Sequence, residues 1–154
     1  MEEIRAAGLT LPSLNQVSFH LYHSRAERAL LQYCTSHGIL FNSWTPLARP
    51  DSWVMQPPCA PSPDRDPGAA ALAAAKYNAT GAALQLAWAM QEGVAVTPRS
   101  QNARHMVENL GAAGLVGRIA QEDAAALWAW PLQSQCSTPA CTNPVFEGCA
   151  NNAK

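Results

Sequence analysis

Three short apolar runs, separated by segments with helical spacing, constrain the fold more than any other feature of the sequence. The predicted strands are LNQVSF at 14–19, ILFNSW at 39–44 and VAVT at 94–97. The predicted helices cover 2–9, 24–38, 69–77, 80–91, 100–110 and 122–130. Strands separated by helices of this length pair in parallel through right-handed crossovers. The sequence therefore predicts the α/β class.

Proline positions mark the limits of the ordered part. Seven of the twelve prolines lie within 46–67, which predicts an irregular loop longer than a compact domain usually carries without a functional reason. Pro131 is predicted to stop the last helix, because proline interrupts a helix interior. We therefore expect one domain over 1–130, followed by a mobile tail over 131–154.

Composition and charge exclude several classes of protein. Ten basic and eleven acidic side chains give a net charge of −1, which argues against nucleic acid or an anionic membrane as the main partner. The sequence has no run of the roughly 18–20 apolar residues that a membrane span needs, and its acidic start does not resemble a secretory signal. Five cysteines without a CxxC pair argue against a disulfide scaffold or a metal site. We expect a cytoplasmic protein without a metal.

A series of longer motifs is more specific than these patterns. In chain order they are PSLNQV at 12–17, YC at 33–34, HGI at 37–39, SWTPLA at 43–48, AWA at 87–89, GV at 93–94, TPRS at 97–100 and RHMVEN at 104–109. Together they resemble the aldo-keto reductase family, in which PAVNQ, YC..HGI, YSPLG, IPKS and RIxEN segments follow one another. The resemblance runs from about residue 2 to residue 130.

The resemblance implies a TIM (β/α)₈ barrel with cofactor and substrate at the carboxyl ends of its strands. A barrel of about 250 residues spends roughly 31 on each βα unit, and this chain shows three strands that resemble the family's sixth, seventh and eighth. We therefore expect a partial barrel. The family's catalytic Asp, Tyr, Lys and His belong to earlier strands, so we expect no catalytic residue in this sequence and no activity from the chain alone.

The resemblance also assigns a cofactor, NADPH, with NADH as a second option, and places its nicotinamide end at two strand ends. Trp44 stands where the family has an aromatic ring that stacks on the nicotinamide, and Gln16 matches a glutamine that binds the carboxamide. Ala48 replaces the family's glycine, which removes freedom to adopt a positive φ. The loop that covers the pyrophosphate would contribute Thr45, Leu47, Arg49 and Asp51.

The adenosine end of the cofactor falls on the segment after the third strand. Arg99 and Ser100 replace the family's Lys-Ser at the 2′-phosphate, and arginine can bind a phosphate with two hydrogen bonds. His105 stands where the family has a further arginine, while Glu108 and Asn109 match the pair that holds the adenine. A helix that opens at Ser100 is expected to offer N–H groups to the phosphate.

Simpler interpretations of the same residues stay open. Trp44 is also a candidate core aromatic, and Arg99-Ser100 a solvated strand end with a helix cap. In a complete barrel the function would be reduction of a small aldehyde or ketone. The alternatives are a non-catalytic half-barrel that binds a nucleotide or a complementing partner, and a gene-model fragment. Unpaired sheet edges also predict self-association.

Overall fold

A three-stranded parallel sheet organises the chain. The computed structural model describes residues 1–21, 25–48 and 71–134. The strands are β1 (Leu14–Val17), β2 (Leu40–Ser43) and β3 (Val94–Val96), and they lie side by side in chain order. Both pairings are parallel, with Gln16 opposite Asn42 and Asn42 opposite Ala95. The predicted α/β class and the parallel pairing are confirmed.

Five α-helices connect and cover these strands in the described part of the chain. They are α1 (Glu2–Ala6), α2 (Arg25–Ser36), α3 (Gly81–Gln91), α4 (Ala103–Gly111) and α5 (Gln121–Ser134), with a π-helical turn at Ala73–Tyr77 and a 3₁₀ turn at Ala112–Leu115. Thr80 caps α3, since its side chain accepts a hydrogen bond from the Ala83 amide at 3.1 Å. Within the described ranges, no helix is both long and apolar enough to cross a membrane.

The last helix does not stop at Pro131, and this prediction is wrong. Helix α5 continues through the proline to Ser134, so the predicted coil begins at least four residues too early. Proline has no N–H for the carbonyl of Leu127, but the loss of one bond is tolerated where the preceding turn is anchored. Leu127 is fully buried and Trp128 packs against the core. Residues 135–154 and most of the predicted 46–67 loop lie outside the described residues.

An aromatic cluster fills the space between the sheet and the helices. Phe19, two residues beyond β1, stacks on Trp88 of α3 at a ring-centroid distance of 5.9 Å and meets Phe41 of β2 edge-on at 5.4 Å. Trp128 of α5 meets Trp88 edge-on at 5.2 Å. The guanidinium of Arg28 in α2 lies 4.9 Å from the Trp128 ring centre, a cation–π distance. One cluster therefore joins two strands and three helices.

The opposite face of the sheet is open. Leu14 and Leu40 are neighbours in register on this face and are 46 % and 48 % exposed. Helix α4 also carries an exposed apolar stripe formed by Met106, Val107 and Leu110. Parallel sheets are normally covered on both faces. The described chain thus has one completed core and two apolar surfaces that nothing in its described part covers.

An ion pair fixes the start of α5 to the π-helical turn. Lys76 Nζ lies 2.7 Å from Asp123 Oδ1, and the Tyr77 hydroxyl donates to Asp123 Oδ2 at 2.5 Å. The Tyr77 oxygen in turn accepts the Ala120 amide at 3.1 Å. Hydrogen bonds from Lys76 and then Tyr77 lower the pKa of the buried Asp123 carboxyl. The carboxylate is therefore the form that this packing stabilises.

Truncation of Phe19 tests the aromatic cluster. Phe19→Ala removes the ring that contacts β2, α3 and α5, so we expect the free energy of unfolding to fall by about 3–5 kcal/mol. Leu110→Ala is the matched control, because Leu110 is 79 % exposed and its loss should change stability by less than about 0.5 kcal/mol. Urea unfolding measures both variants, and equal losses would contradict the packing described.

Asp123→Asn tests the ion pair through its pH dependence. A carboxyl whose pKa is lower in the folded state stabilises the fold above its unfolded pKa of about 4, and this contribution disappears as the pH falls through the folded pKa. We expect Asp123→Asn to lower the urea midpoint at pH 7 and to approach the wild-type midpoint at pH 3. Glu122→Gln, at an exposed neighbouring acid, should show little difference at either pH. A wild-type advantage that is the same at both pH values would refute the ion-pair role.

Candidate functional site

The carboxyl ends of the three parallel strands meet along one edge of the sheet. Hydrogen bonding continues one residue past β2 and one past β3, with the Trp44 amide donating to the Val17 carbonyl at 3.1 Å and the Thr97 amide to the Ser43 carbonyl at 2.9 Å. The Thr97 hydroxyl also donates to Ser43 O at 2.8 Å. This edge is where open α/β sheets and barrels carry ligands. It is therefore the candidate site.

Gln16 and Trp44 lie together at this edge, on the open face. Gln16 is exposed, and its Nε2 donates to Asn42 Oδ1 at 2.8 Å. Asn42 is 7 % exposed and donates its own Nδ2 to the Ala95 carbonyl at 3.3 Å. Trp44 follows Asn42 by two residues and therefore shares its face; its side chain is 45 % exposed. The structure places Trp44 at the surface, not in the core.

Asn42 is a residue that the sequence analysis missed. It lies in the middle of ILFNSW, where the neighbouring positions Phe41 and Ser43 are fully buried. A buried amide in such a run needs hydrogen-bond partners, so the polar residue in an apolar strand was a usable signal. The sequence alone does not say which residues supply those partners.

The loop after β2 keeps a turn that usually requires glycine. Thr45 Oγ1 lies 2.5 Å from Ser18 Oγ, which ties the loop to the end of β1, and Leu47 packs against the core. Ala48 has a φ of 55°, a left-handed value that costs a residue with a Cβ about 1–2 kcal/mol. We expected alanine at this position to lose the positive φ of the family's glycine, but Ala48 adopts it. Arg49 and Asp51 lie outside the described residues.

The sequence predicted that helix α4 begins at Ser100, and this prediction is wrong. A stronger N-cap residue, Asn102, lies two residues further on. Asn102 Oδ1 accepts the amides of Arg104 at 2.9 Å and His105 at 3.5 Å, and the helix begins at Ala103. Asparagine is among the strongest N-cap residues. The Ser100 hydroxyl instead accepts the Asn102 amide at 3.1 Å. The amides of Arg104 and His105 at the start of the helix, and that of Asn102 just before it, are therefore already occupied.

Glu108 lies at a cleft of about 460 Å³ between the π-helical turn, α3 and α4. Its carboxylate accepts from Arg104 Nε at 2.8 Å, a pair one helical turn apart. Asn109 beside it is half-buried, whereas Arg99 and His105 are exposed. Other lining residues of the cleft are Asn78, Thr80, Ala83, Gly111 and Leu115.

The predicted residues thus form two groups in the structure. Gln16, Trp44 and Thr45 lie at the ends of β1 and β2, and the second group lies on the loop after β3 and on α4. The bonds between Thr97 and Ser43 connect the strand ends that carry them. Across the described residues, no three His, Cys, Asp or Glu side chains come together as a metal site. The described groups suit the binding of a flat ring and of polar or anionic substituents.

Comparisons with known proteins show a match to one family. The family described as "Aldo/keto reductase family" matches residues 1–129. "Aldo-keto reductase family 1 member A1" of Xenopus tropicalis is 32 % identical over 110 residues, which are 71 % of this chain and 32 % of that protein. "Uncharacterized oxidoreductase C28F2.05" of Schizosaccharomyces pombe is 31 % identical over 116 residues, 73 % of this chain and 36 % of that protein. The chain spans about a third of the length of these relatives.

Solved structures show the same fold. The crystal structure of apo Gox0644 superposes with a TM-score of 0.68 at 24 % identity, over 92 % of this chain and 46 % of that one. A second, described as aldo-keto reductase (AKR2E5) complexed with NADPH, gives a TM-score of 0.67 at 22 % identity, over 84 % and 38 %. With the family match over 1–129, these findings show that the chain belongs to the aldo/keto reductase family.

Proposed function

We propose that this chain forms the cofactor-binding part of an NADP(H)-dependent reductase of small aldehydes or ketones. In this proposal β1, β2 and β3 are the sixth, seventh and eighth strands of a (β/α)₈ barrel. The observation that carries the proposal is that Trp44 and Gln16 are both exposed and both lie at the carboxyl ends of adjacent strands. A half-exposed indole and an exposed amide are the two group types that suit a nicotinamide ring and its carboxamide.

The nicotinamide end fits the residues present. Trp44 offers a larger aromatic face than the tyrosine usual in the family, and the bond between its amide and Val17 O holds its backbone at the strand end. Thr45, linked to Ser18, fixes the start of the loop that would lie beside the pyrophosphate. When bound, the reduced nicotinamide supplies the hydride for a carbonyl carbon. These residues would bind and orient its ring.

The adenosine end supports NADPH over NADH. Arg104 is engaged with Glu108, so we assign the 2′-phosphate to Arg99, an exposed cation on the loop after β3. Glu108 and Asn109 would hold the adenine edge, with the adjacent cleft large enough for a purine. Ser100 offers a hydroxyl at the same loop. NADH remains the second option, because His105 replaces an arginine of the family pattern.

A second candidate function is complementation by another polypeptide. Leu14 and Leu40 on the open face, and the α4 stripe of Met106, Val107 and Leu110, are exposed apolar surfaces that further βα units would cover. In this proposal the acid–base residues of catalysis come from those units, and the 154-residue chain binds the cofactor without turning over substrate. Pairing between copies of the chain is the competing outcome.

Calorimetric titration of the 154-residue chain with NADPH and NADH tests the proposal. We expect NADPH to bind more tightly than NADH. Trp44→Ala should weaken both by about tenfold, because stacking contributes about 1.5 kcal/mol. Arg99→Ala should weaken NADPH by about tenfold and leave NADH unchanged, because only NADPH carries the 2′-phosphate.

Leu9→Ala is the matched control for this titration. Leu9 is 64 % exposed and precedes β1, at the opposite end of the sheet from the candidate site. Its substitution should change neither affinity. Cofactor binding that survives Trp44→Ala and Arg99→Ala, or no binding by the wild-type chain, would refute the proposed site.

A further inference from the structure

A buried amide determines which atom the candidate site presents to a ligand. Asn42 lies on β2 between Gln16 of β1 and Ala95 of β3, and the three residues form one register row across the sheet. Its side chain bridges both neighbours, at 2.8 Å to Gln16 and 3.3 Å to Ala95. The row is the only place in the described sheet where polar side chains link two strands on the open face.

The direction of both side-chain amides follows from the Ala95 carbonyl. A carbonyl oxygen can only accept, so Asn42 must turn its Nδ2 toward Ala95. Asn42 Oδ1 is then directed toward Gln16, and Gln16 must present Nε2 to it. The Oε1 atom of Gln16 is left as the acceptor on an exposed side chain. Without Asn42, the hydrogen bond that fixes the orientation of the Gln16 amide would be lost.

We propose that Asn42 is a positioning residue that fixes the orientation of the Gln16 amide, so that Gln16 Oε1 stays available as an acceptor and favours ligands whose ring carries a primary amide. This inference rests on the proposed function, since it specifies how the nicotinamide end is recognised. A carboxamide N–H satisfies the Gln16 oxygen, whereas an acetyl group in its place has no hydrogen to donate. Asn42 itself is 7 % exposed and acts through Gln16.

The test compares NADPH with its reduced 3-acetylpyridine analogue, which lacks the amide N–H, by calorimetric titration of the full chain. We expect the wild-type chain to prefer NADPH by about fivefold, the value of one neutral hydrogen bond. Asn42→Leu should abolish this preference. It should leave the affinity for 2′-phosphoadenosine diphosphoribose, which has no nicotinamide ring, unchanged. A role of Asn42 in folding alone would shift all three ligands together.

Two further variants keep the test decisive. Asn42→Ala removes the amide without adding a larger apolar side chain, so it should also abolish the preference for NADPH. Leu40→Ala is the matched control on the same strand and face, two residues earlier, and should keep the preference. If Asn42→Leu does not fold, loss of the preference in Asn42→Ala supports the inference and its retention overturns it.

The outcomes separate this inference from the proposal on which it rests. Loss of the preference in Asn42→Leu, with the preference kept in Leu40→Ala, supports the inference. A wild-type chain that binds both dinucleotides equally, or an Asn42→Leu variant that keeps the preference, overturns the inference and leaves the proposed function standing. A wild-type chain that binds neither dinucleotide nor the phosphoadenosine compound overturns the proposed function and the inference together.

Discussion

The stacking of Phe19 on Trp88 is the contact on which the rest of the structure depends. Phe19 lies two residues after β1 and Trp88 lies on α3, so their contact sets how the sheet packs on its helices. The Ser43 hydroxyl donates to the Phe19 carbonyl, which joins the ends of β1 and β2 beneath Trp44. The aromatic core therefore fixes the strand ends from which Gln16 and Trp44 project. Packing on one face of the sheet positions the candidate site on the other.

The two faces of the sheet have different consequences for stability and function. The helix-covered face contributes apolar burial through residues such as Phe41 and Val94, both almost fully enclosed. The open face combines exposed leucines with the polar row that includes Asn42, a combination typical of a surface completed by a ligand or by more chain. The chain spans about a third of the length of its relatives, and nothing in its described residues covers the leucines of the open face.

Local signals explain which parts of the fold and site were predictable. The apolar runs predicted three strands, and their alternation with helices predicted parallel pairing. The end of α5 was not predictable from the local sequence, because buried contacts of Leu127 offset the effect of Pro131. The start of α4 depended on a choice between Ser100 and Asn102, two competing caps. The role of Asn42 required strand register, which a single sequence does not contain.

The central claim is that the strand ends and α4 bind one dinucleotide. Two-dimensional ¹H–¹⁵N NMR of the 154-residue chain, recorded with and without NADPH, tests it most directly. The account predicts that the side-chain signals of Trp44 and Gln16 shift together with the backbone amides around Glu108, while the indole signal of the buried Trp88 stays in place. Shifts confined to other surfaces, or an unchanged spectrum at saturating NADPH, would contradict it.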